Sequence, residues 1–373
     1  MSGSIPNGAG PATVSPDARI EFLDVMRSVA VLMVAYDHLV GLYLKRTGQT
    51  EPFYQAVTQY VVQPLGIIQD FGWMGVCLFF LVSGFIITHV AYREKPLEFM
   101  VRRVFRIYPP LIVAIVVAVV ILRMQNGLEF TPGQVLLSFT LLNYFQSPQV
   151  VTLGVAWSLV VELLFYGLVV LQMRTLRSFP ALAPVLAGSL VLLVILTCKD
   201  FGSTYFLFAA TAAYVPYLLI GQVIYLRATR RIGNGAALAL AALCFGAIVF
   251  GIQRIHTQFL PMDNSYLVNF AYALLLFVIA LSLDIRPGAV FRSIAEKSYG
   301  IYLLEGTAGL YLVFWLQKAG APYLVALTGT IVIGYAICWA FFRFVERPSQ
   351  NLGRRLGSRI ASAPIAGQSG AIA

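Results

Sequence analysis

Residues 21–44 read EFLDVMRSVAVLMVAYDHLVGLYL. This stretch is long enough to cross a bilayer, which requires about 20 mostly apolar residues. It nevertheless contains Asp24, Arg27, Asp37 and His38, and each charged group at membrane depth costs roughly 2.5–3.5 kcal/mol. On a helix, Arg27 and His38 share one face and lie about 16 Å apart along the axis. The pattern predicts a membrane helix that forms the wall of a polar cavity, or one held to its neighbours by buried polar pairs.

The composition of the rest of the chain is also that of an integral membrane protein. Of 373 residues, 59% are hydrophobic and 11% charged, whereas ordinary soluble domains are about one quarter charged. The four cysteines lie in apolar segments without metal-like spacing, so we expect neither a metal site nor disulfides. Apolar stretches predict an all-α membrane protein of about ten transmembrane helices, at residues 22–44, 71–92, 108–124, 154–172, 181–198, 206–226, 235–252, 266–283, 298–316 and 323–345.

The distribution of Lys and Arg predicts the topology. Loops on one side of the ten helices carry roughly three times as many basic residues as loops on the other side, and basic loops are typically cytoplasmic. We therefore expect a ten-helix membrane domain over residues 22–348, with disordered cytoplasmic segments at 1–20 and 354–373. The net charge of +10 does not indicate nucleic acid, because the basic residues flank the membrane instead of clustering with aromatics.

The fourth predicted helix carries a polar stripe at about the same predicted membrane depth as His38. Ser158, Glu162 and Tyr166 recur every four residues on an otherwise apolar segment, and Glu162 and His38 have similar predicted depths. A carboxylate beside a histidine can hold the ring's tautomer and stabilise its protonated form. The alternative is a simple interhelical hydrogen bond. Asp37 is a poorer partner, because adjacent helical residues point about 100° apart.

A second polar group precedes the third predicted helix. Arg102, Arg103 and Arg106 crowd one helical turn, where they repel one another unless an anion or acidic side chains lie among them. Guanidinium groups suit phosphate oxygens particularly well. Anchoring to anionic lipid head groups is the alternative interpretation.

The distance between the basic group and His38 indicates a long ligand with an anionic head. A coenzyme A thioester has this shape, since nucleotide phosphates are followed by a pantetheine arm and an acyl group. His38 would then be the base that removes a proton from an acceptor hydroxyl as it attacks the thioester, and its unperturbed pKa near 6.5 suits that role.

Six stretches in order resemble acyltransferase family 3, the integral-membrane O-acyltransferases. The first carries an Arg-x10-His spacing from Arg27 to His38, and the matches extend from residue 22 to residue 348. The stretches are FLDVMRSVAVLMVAYDH (22–38), GVCLFFLVSGFIIT (75–88), RRVFRIYPPL (102–111), WSLVVELLFY (157–166), SYGIYLL (298–304) and VERP (345–348).

The resemblance implies a bacterial inner-membrane enzyme that transfers an acyl group, usually acetyl, from cytoplasmic acetyl-CoA. The implied acceptors are hydroxyls of cell-surface polysaccharides, lipid-linked sugars and related glycosides. It implies catalysis at His38 and CoA-binding or structural roles for Arg27, Arg103 and Arg106, and it places Glu162 in a functional motif. From the sequence pattern we expect Glu162 to assist His38 and Arg102 to join the donor site. Residues that the resemblance implies in substrate binding or structural support are Asp24, Ser83, Trp157, Ser158, Tyr166, Tyr302 and Glu305.

Glu305 departs from the family pattern, which often has histidine at that position. If the histidine assists acceptor binding, acceptor preference differs here, and if it is structural, little changes. A transporter or exporter of a sugar-lipid that uses the buried charges as a proton relay is the alternative function. The two halves show no internal repeat of the kind common in transporters. An inactive scaffold is disfavoured because Arg27, His38, Arg103 and Arg106 are all present.

Overall fold

The computed structural model describes residues 18–255, 264–283 and 285–362. In these ranges the chain is all-α without strands, and nine helices are long and apolar enough to cross a membrane. A shorter apolar helix, α5, occupies the remaining predicted span, the fifth at 181–198, so the predicted fold class is confirmed. The spans are α1 (Glu21–Thr47), α2 (Gln69–Ala91), α3 (Pro96–Asn126), α4 (Gly154–Ser178), α5 (Leu182–Leu196), α6 (Gly202–Ala228), α7 (Asn234–Ile255), α8 (Ser265–Ser282), α9 (Ala289–Lys318) and α10 (Tyr323–Ala361).

Helix α2 lies at the centre of the bundle. It packs against α1, α4, α6 and α8, and 78% of the residues in its most apolar 18-residue stretch are buried. A helix that is hydrophobic all round belongs in such an interior position. In α3, α7 and α10, only 33%, 28% and 22% of the residues in the corresponding stretch are buried. These helices therefore present broad apolar faces to the outside, as expected for contact with lipid.

Two glycines let α2 and α6 approach closely. A Cβ atom at Gly84 would overlap the carbonyl oxygen of Leu218, and one at Gly221 would come 2.5 Å from the carbonyl oxygen of Leu81. Small residues serve this purpose at membrane helix interfaces, where close backbone contact contributes much of the association energy. The Ser-Gly pair of α2 therefore has a packing role through Gly84.

We expect Gly84→Leu to lower the melting temperature of the detergent-solubilised protein. Overfilling a packed interface costs about 1–3 kcal/mol, and here the new side chain meets backbone, which cannot rotate away. Gly167→Leu is the matched control, because a Cβ at Gly167 meets nothing within 4 Å. Equal melting temperatures for the two variants would contradict the packing role.

Three of the spans contain a π-helical turn. These turns are Asp37–Leu42 in α1, Glu305–Gly309 in α9 and Phe342–Glu346 in α10. Such turns are rare and concentrate at functional sites, because they change the direction of the side chains they carry. The turn in α1 is fastened to α10, since the Tyr323 hydroxyl donates to the Leu39 carbonyl at 3.1 Å.

The carboxyl-terminal end of the described chain differs from the prediction. Residues 354–362 of the expected disordered tail are helical, while residues 363–373 lie outside the described ranges. This end of α10 packs along α3, where Gly353 lies against Phe105. Lys95 also donates to the Ala361 carbonyl at 2.7 Å. At the amino terminus, residues 1–17 of the segment predicted to be disordered are likewise outside the described ranges, and a helix begins at Ala18.

Candidate functional site

His38 is paired with Glu305 across the α1–α9 interface. Its Nδ1 atom lies 2.7 Å from Glu305 Oε1, and the two side chains are 16% and 7% exposed. Each residue lies at the beginning of a π-helical turn. With Glu305 ionised and the ring neutral, Nδ1 donates to the carboxylate and Nε2 keeps a free lone pair, because a carboxylate only accepts hydrogen bonds. This is the tautomer that a general base requires.

The predicted pairing of His38 with Glu162 is therefore corrected. Glu162 instead accepts hydrogen bonds from the Ser83 hydroxyl at 2.6 Å and from the Tyr166 hydroxyl. The prediction rested on depth alone, and residues at one depth can still face different directions around the bundle. The signal for Glu305 was in the sequence, as an acidic side chain at the position where the resembling family often has histidine.

An open cavity lies between α1, α2, α3, α4 and α9. It contains about 780 Å³ of space not filled by atoms, part of which is open solvent at its mouth. Three guanidinium groups, from Arg27, Arg103 and Arg106, converge on it together with the carboxylate of Glu162. The polar residues of the lining are Arg27, Ser83, Arg103, Arg106, Ser158, Glu162, Tyr166, Ser298, Tyr299 and Tyr302.

The cavity is electrostatically suited to an anion. Three guanidiniums face one carboxylate in surroundings of low dielectric, where uncompensated like charges repel strongly. The buried Arg103 Nε has no hydrogen-bond partner within the described ranges, and Arg27 has Asp24 at 3.6 Å. An unpaired buried donor costs about 1–3 kcal/mol, so a multivalent anion would relieve both penalties.

Arg102 does not belong to this group, contrary to the prediction. It pairs with Glu94 at 2.6 Å and with Glu98 at 2.5 Å, and donates to the Ser358 hydroxyl at 3.3 Å. Arg102 and Arg103 are adjacent on α3, so their side chains point about 100° apart. Two carboxylates and the end of α10 therefore hold Arg102 away from the cavity.

Other predicted residues support the cavity wall. Trp157 stacks on Trp73 with ring centroids 5.7 Å apart and planes 8° apart. The hydroxyls of Ser158 and Tyr302 lie 2.7 Å apart, and the Tyr302 hydroxyl also donates to the Val155 carbonyl at 3.0 Å. No group of three or more His, Cys, Asp or Glu side chains in the described part of the chain could hold a metal ion.

The cavity stops short of His38, which is not among its lining residues. Tyr302 lines the cavity and precedes Glu305 by three residues on α9. Gly306, the residue after Glu305, lies against His38. A Cβ atom built on Gly306 would be 3.1 Å from the His38 ring and 3.2 Å from the Val155 side chain. The lining therefore includes the Ser158–Tyr302 pair but not the imidazole, so the cavity does not extend from the arginines to His38 as the long ligand inferred from the sequence requires.

Comparison with known proteins gives the family. The model of the acyltransferase domain of family 3 matches residues 20–343. The chain belongs to acyltransferase family 3. This membrane acyltransferase is also 26% identical to Nodulation protein 10 of Rhizobium leguminosarum bv. viciae, over 76% of this chain and 84% of that protein. No solved structure matches it.

Proposed function

We propose that this acyltransferase moves an acyl group, most readily acetyl, from acyl-CoA to a hydroxyl of a cell-surface polysaccharide, lipid-linked sugar or related glycoside. The observation that carries the proposal is that a three-arginine cavity ends one helical turn from a His–Glu pair. The arginines supply an anion site for the donor, and the pair supplies a base for the acceptor. The family supports acyl transfer as the reaction.

The His38–Glu305 pair performs the proton transfers. Nε2 takes the proton of the acceptor hydroxyl as its oxygen attacks the thioester carbonyl. The new C–O bond forms, the C–S bond breaks, and the imidazolium returns the proton to the departing thiolate. Glu305 holds Nδ1–H and stabilises the positive ring. General base catalysis of this kind contributes about 10²- to 10⁴-fold to the rate.

The arginine cavity positions the donor in this scheme. Guanidinium groups of Arg27, Arg103 and Arg106 pair with the phosphates of the nucleotide head. The pantetheine arm then extends toward His38 and parts the Ser158–Tyr302 hydrogen bond, so that the thioester reaches Nε2. Neither hydroxyl loses its only partner when this bond opens, because the Val155 carbonyl lies 3.1 Å from the Ser158 oxygen and 3.0 Å from the Tyr302 oxygen and can accept from either.

We expect Arg103→Gln to raise the KM for acetyl-CoA by about 10- to 100-fold, since a hydrogen bond to a charged group contributes about 1.5–3 kcal/mol. The measurement is the initial rate of CoA release by the purified protein at varied donor concentration. Arg102→Gln is the matched control, because Arg102 lies outside the cavity and its donor KM should stay near the wild-type value. A larger effect at Arg102 than at Arg103 would contradict the assignment.

The direction of transfer follows from the basic loops. We place both termini and the arginine cavity on the cytoplasmic side, because the loops rich in Lys and Arg lie there. The membrane in this proposal is the bacterial inner membrane, and the relative in Rhizobium leguminosarum is a bacterial protein.

Label transfer from acetyl-CoA in proteoliposomes tests the proposed function. The protein is reconstituted with lipid-linked or polysaccharide acceptors, and labelled acetyl ester is measured by mass spectrometry. We expect ester formation to require both acetyl-CoA and the protein. Counterflow of a sugar-lipid in the absence of CoA, without ester formation, would overturn the proposal in favour of a transporter.

A further inference from the structure

The Nε2 atom of His38 lies near the carboxylate of Asp37, which can still accept hydrogen bonds from a ligand. Asp37 Oδ2 lies 3.9 Å from Nε2, and each of the two side chains is 16% exposed. This separation is too long for a hydrogen bond. Within the described ranges no side chain donates a hydrogen bond to Asp37. Two acceptor atoms, one on a catalytic base and one on a carboxylate, thus lie side by side.

The position of Asp37 is fixed by a glycine on α2. A Cβ atom at Gly72 would overlap the Asp37 carboxylate, so this carboxylate can lie against α2 only because residue 72 has no side chain. Gly72 is the first residue of the regular helix that follows the short turn Gln69–Phe71. Helix packing therefore holds Asp37 beside Nε2, although Asp37 adjoins His38 in the chain.

A second carboxylate where α1 meets α2, that of Asp70, has hydrogen-bond partners of its own. Asp70 is 2% exposed and lies against Gly41. It accepts a hydrogen bond from Lys45 Nζ at 2.5 Å and from the Tyr54 hydroxyl at 3.3 Å. Asp70 therefore fastens α1 to α2 with its own partners, and Asp37 is the carboxylate of the two that is open to a ligand.

Two aromatic residues adjoin Asp37 and Gly72 in the chain. Tyr36 and Phe71 immediately precede Asp37 and Gly72, and their ring centroids lie 5.7 Å apart in an edge-to-face arrangement. The Tyr36 hydroxyl is buried without a hydrogen-bond partner in the described part of the chain.

We propose that Asp37 binds the acceptor and selects alcohols that carry a second hydroxyl on the neighbouring carbon. This inference rests on the proposed function. One hydroxyl gives its proton to His38 Nε2 and becomes acylated, while its neighbour donates a hydrogen bond to Asp37. Adjacent hydroxyls of a sugar ring lie close enough together for one to donate to His38 Nε2 and the other to the Asp37 carboxylate. An alcohol with one hydroxyl leaves Asp37 unpaired in a partly desolvated site, which lowers its rate.

The test compares two soluble acceptors, trans-1,2-cyclohexanediol and cyclohexanol. The full-length protein in proteoliposomes is given acetyl-CoA and each alcohol in turn, and the acetate ester is measured by mass spectrometry. We expect the wild type to acetylate the diol about 10- to 100-fold faster. Asp37→Asn should bring the two rates close to each other. Because each ratio comes from one preparation, it does not depend on the folded fraction.

Asp70→Asn is the matched control, and its ratio should equal that of the wild type even if its yield is lower. Asp37→Ser is a second variant, in case the asparagine protein does not fold. A variant that loses Asp37 but keeps the preference for the diol would overturn this inference and leave the proposed function intact. If the wild type forms neither ester but acetylates the lipid-linked or polysaccharide acceptor, this inference is overturned and the proposed function stands. If it forms no ester with any of these acceptors, both are overturned.

Discussion

Replacement of His38 by alanine is expected to lower acyl transfer by about 10²- to 10⁴-fold without changing donor affinity. The loss follows from the tautomer that Glu305 enforces, because Nε2 then carries the lone pair that accepts the hydroxyl proton. The arginine cavity does not include His38, so the donor should still bind. Transfer is measured as labelled ester formed by equal amounts of folded protein, and donor binding by equilibrium dialysis with labelled acetyl-CoA.

His89→Ala is the matched control for this variant. His89 is also on a membrane helix, but its ring packs edge-on against Tyr225 with centroids 5.7 Å apart, and it is not in the lining of the cavity. Its replacement should leave the transfer rate close to that of the wild type. Full transfer by the His38→Ala protein at normal abundance would end the assignment of His38 as the base.

The fold could be predicted because the bilayer fixes the length of every crossing helix. All ten predicted spans correspond to helices, including the short Leu182–Leu196. Their ends were less predictable. The α3 helix begins at Pro96, well before the predicted 108, because amphipathic turns with arginines continue it beyond the apolar segment. For the same reason, the end of α10 was taken for a disordered tail, although it packs on α3.

The arginine cavity was largely predictable, and the partner of the base was not. Spacing along single helices placed Arg27, Arg103 and Arg106 at one end of the bundle, and the structure brings these three together. The pairing of Arg102 with Glu98 is an i,i+4 contact within α3 that spacing along the helix allows. Its second partner, Glu94, lies in the loop before α3, and spacing could not place it. Pairing across helices depends on their rotation, which a hydropathy pattern does not specify.

The π-helical turns explain why the directions of the side chains around the helix axis were hardest to infer at the centre of the site. A regular helix of 3.6 residues per turn was assumed for the positions of Asp37 and His38. The turn Asp37–Leu42 adds a residue to that turn of α1 and changes the faces that follow. Asp37, discounted as a partner by regular geometry, lies 3.9 Å from Nε2, which is too far for a hydrogen bond, and Gly72 leaves room for its carboxylate.

Glu305→Gln is expected to lower kcat by about 100-fold or more, with little change in the donor KM. The amide is nearly the same size as the carboxylate, so packing between α1 and α9 is retained. It carries no negative charge to stabilise the imidazolium, and its NH₂ group can donate to Nδ1 and so move the ring proton to Nε2. Steady-state kinetics with labelled acetyl-CoA at saturating acceptor separate kcat from KM.

Glu162→Gln is the decisive comparison, because sequence reasoning and the structure assign opposite roles to these two carboxylates. Glu162 faces the guanidiniums of the cavity and lies outside hydrogen-bonding contact with His38, whose ring bonds Glu305 instead. Removing its charge takes away a repulsion toward the donor phosphates, so the donor KM should fall while kcat stays within about threefold. If Glu162→Gln lost kcat and Glu305→Gln kept it, the base would depend on Glu162, and the pairing across α1 and α9 would have no catalytic role.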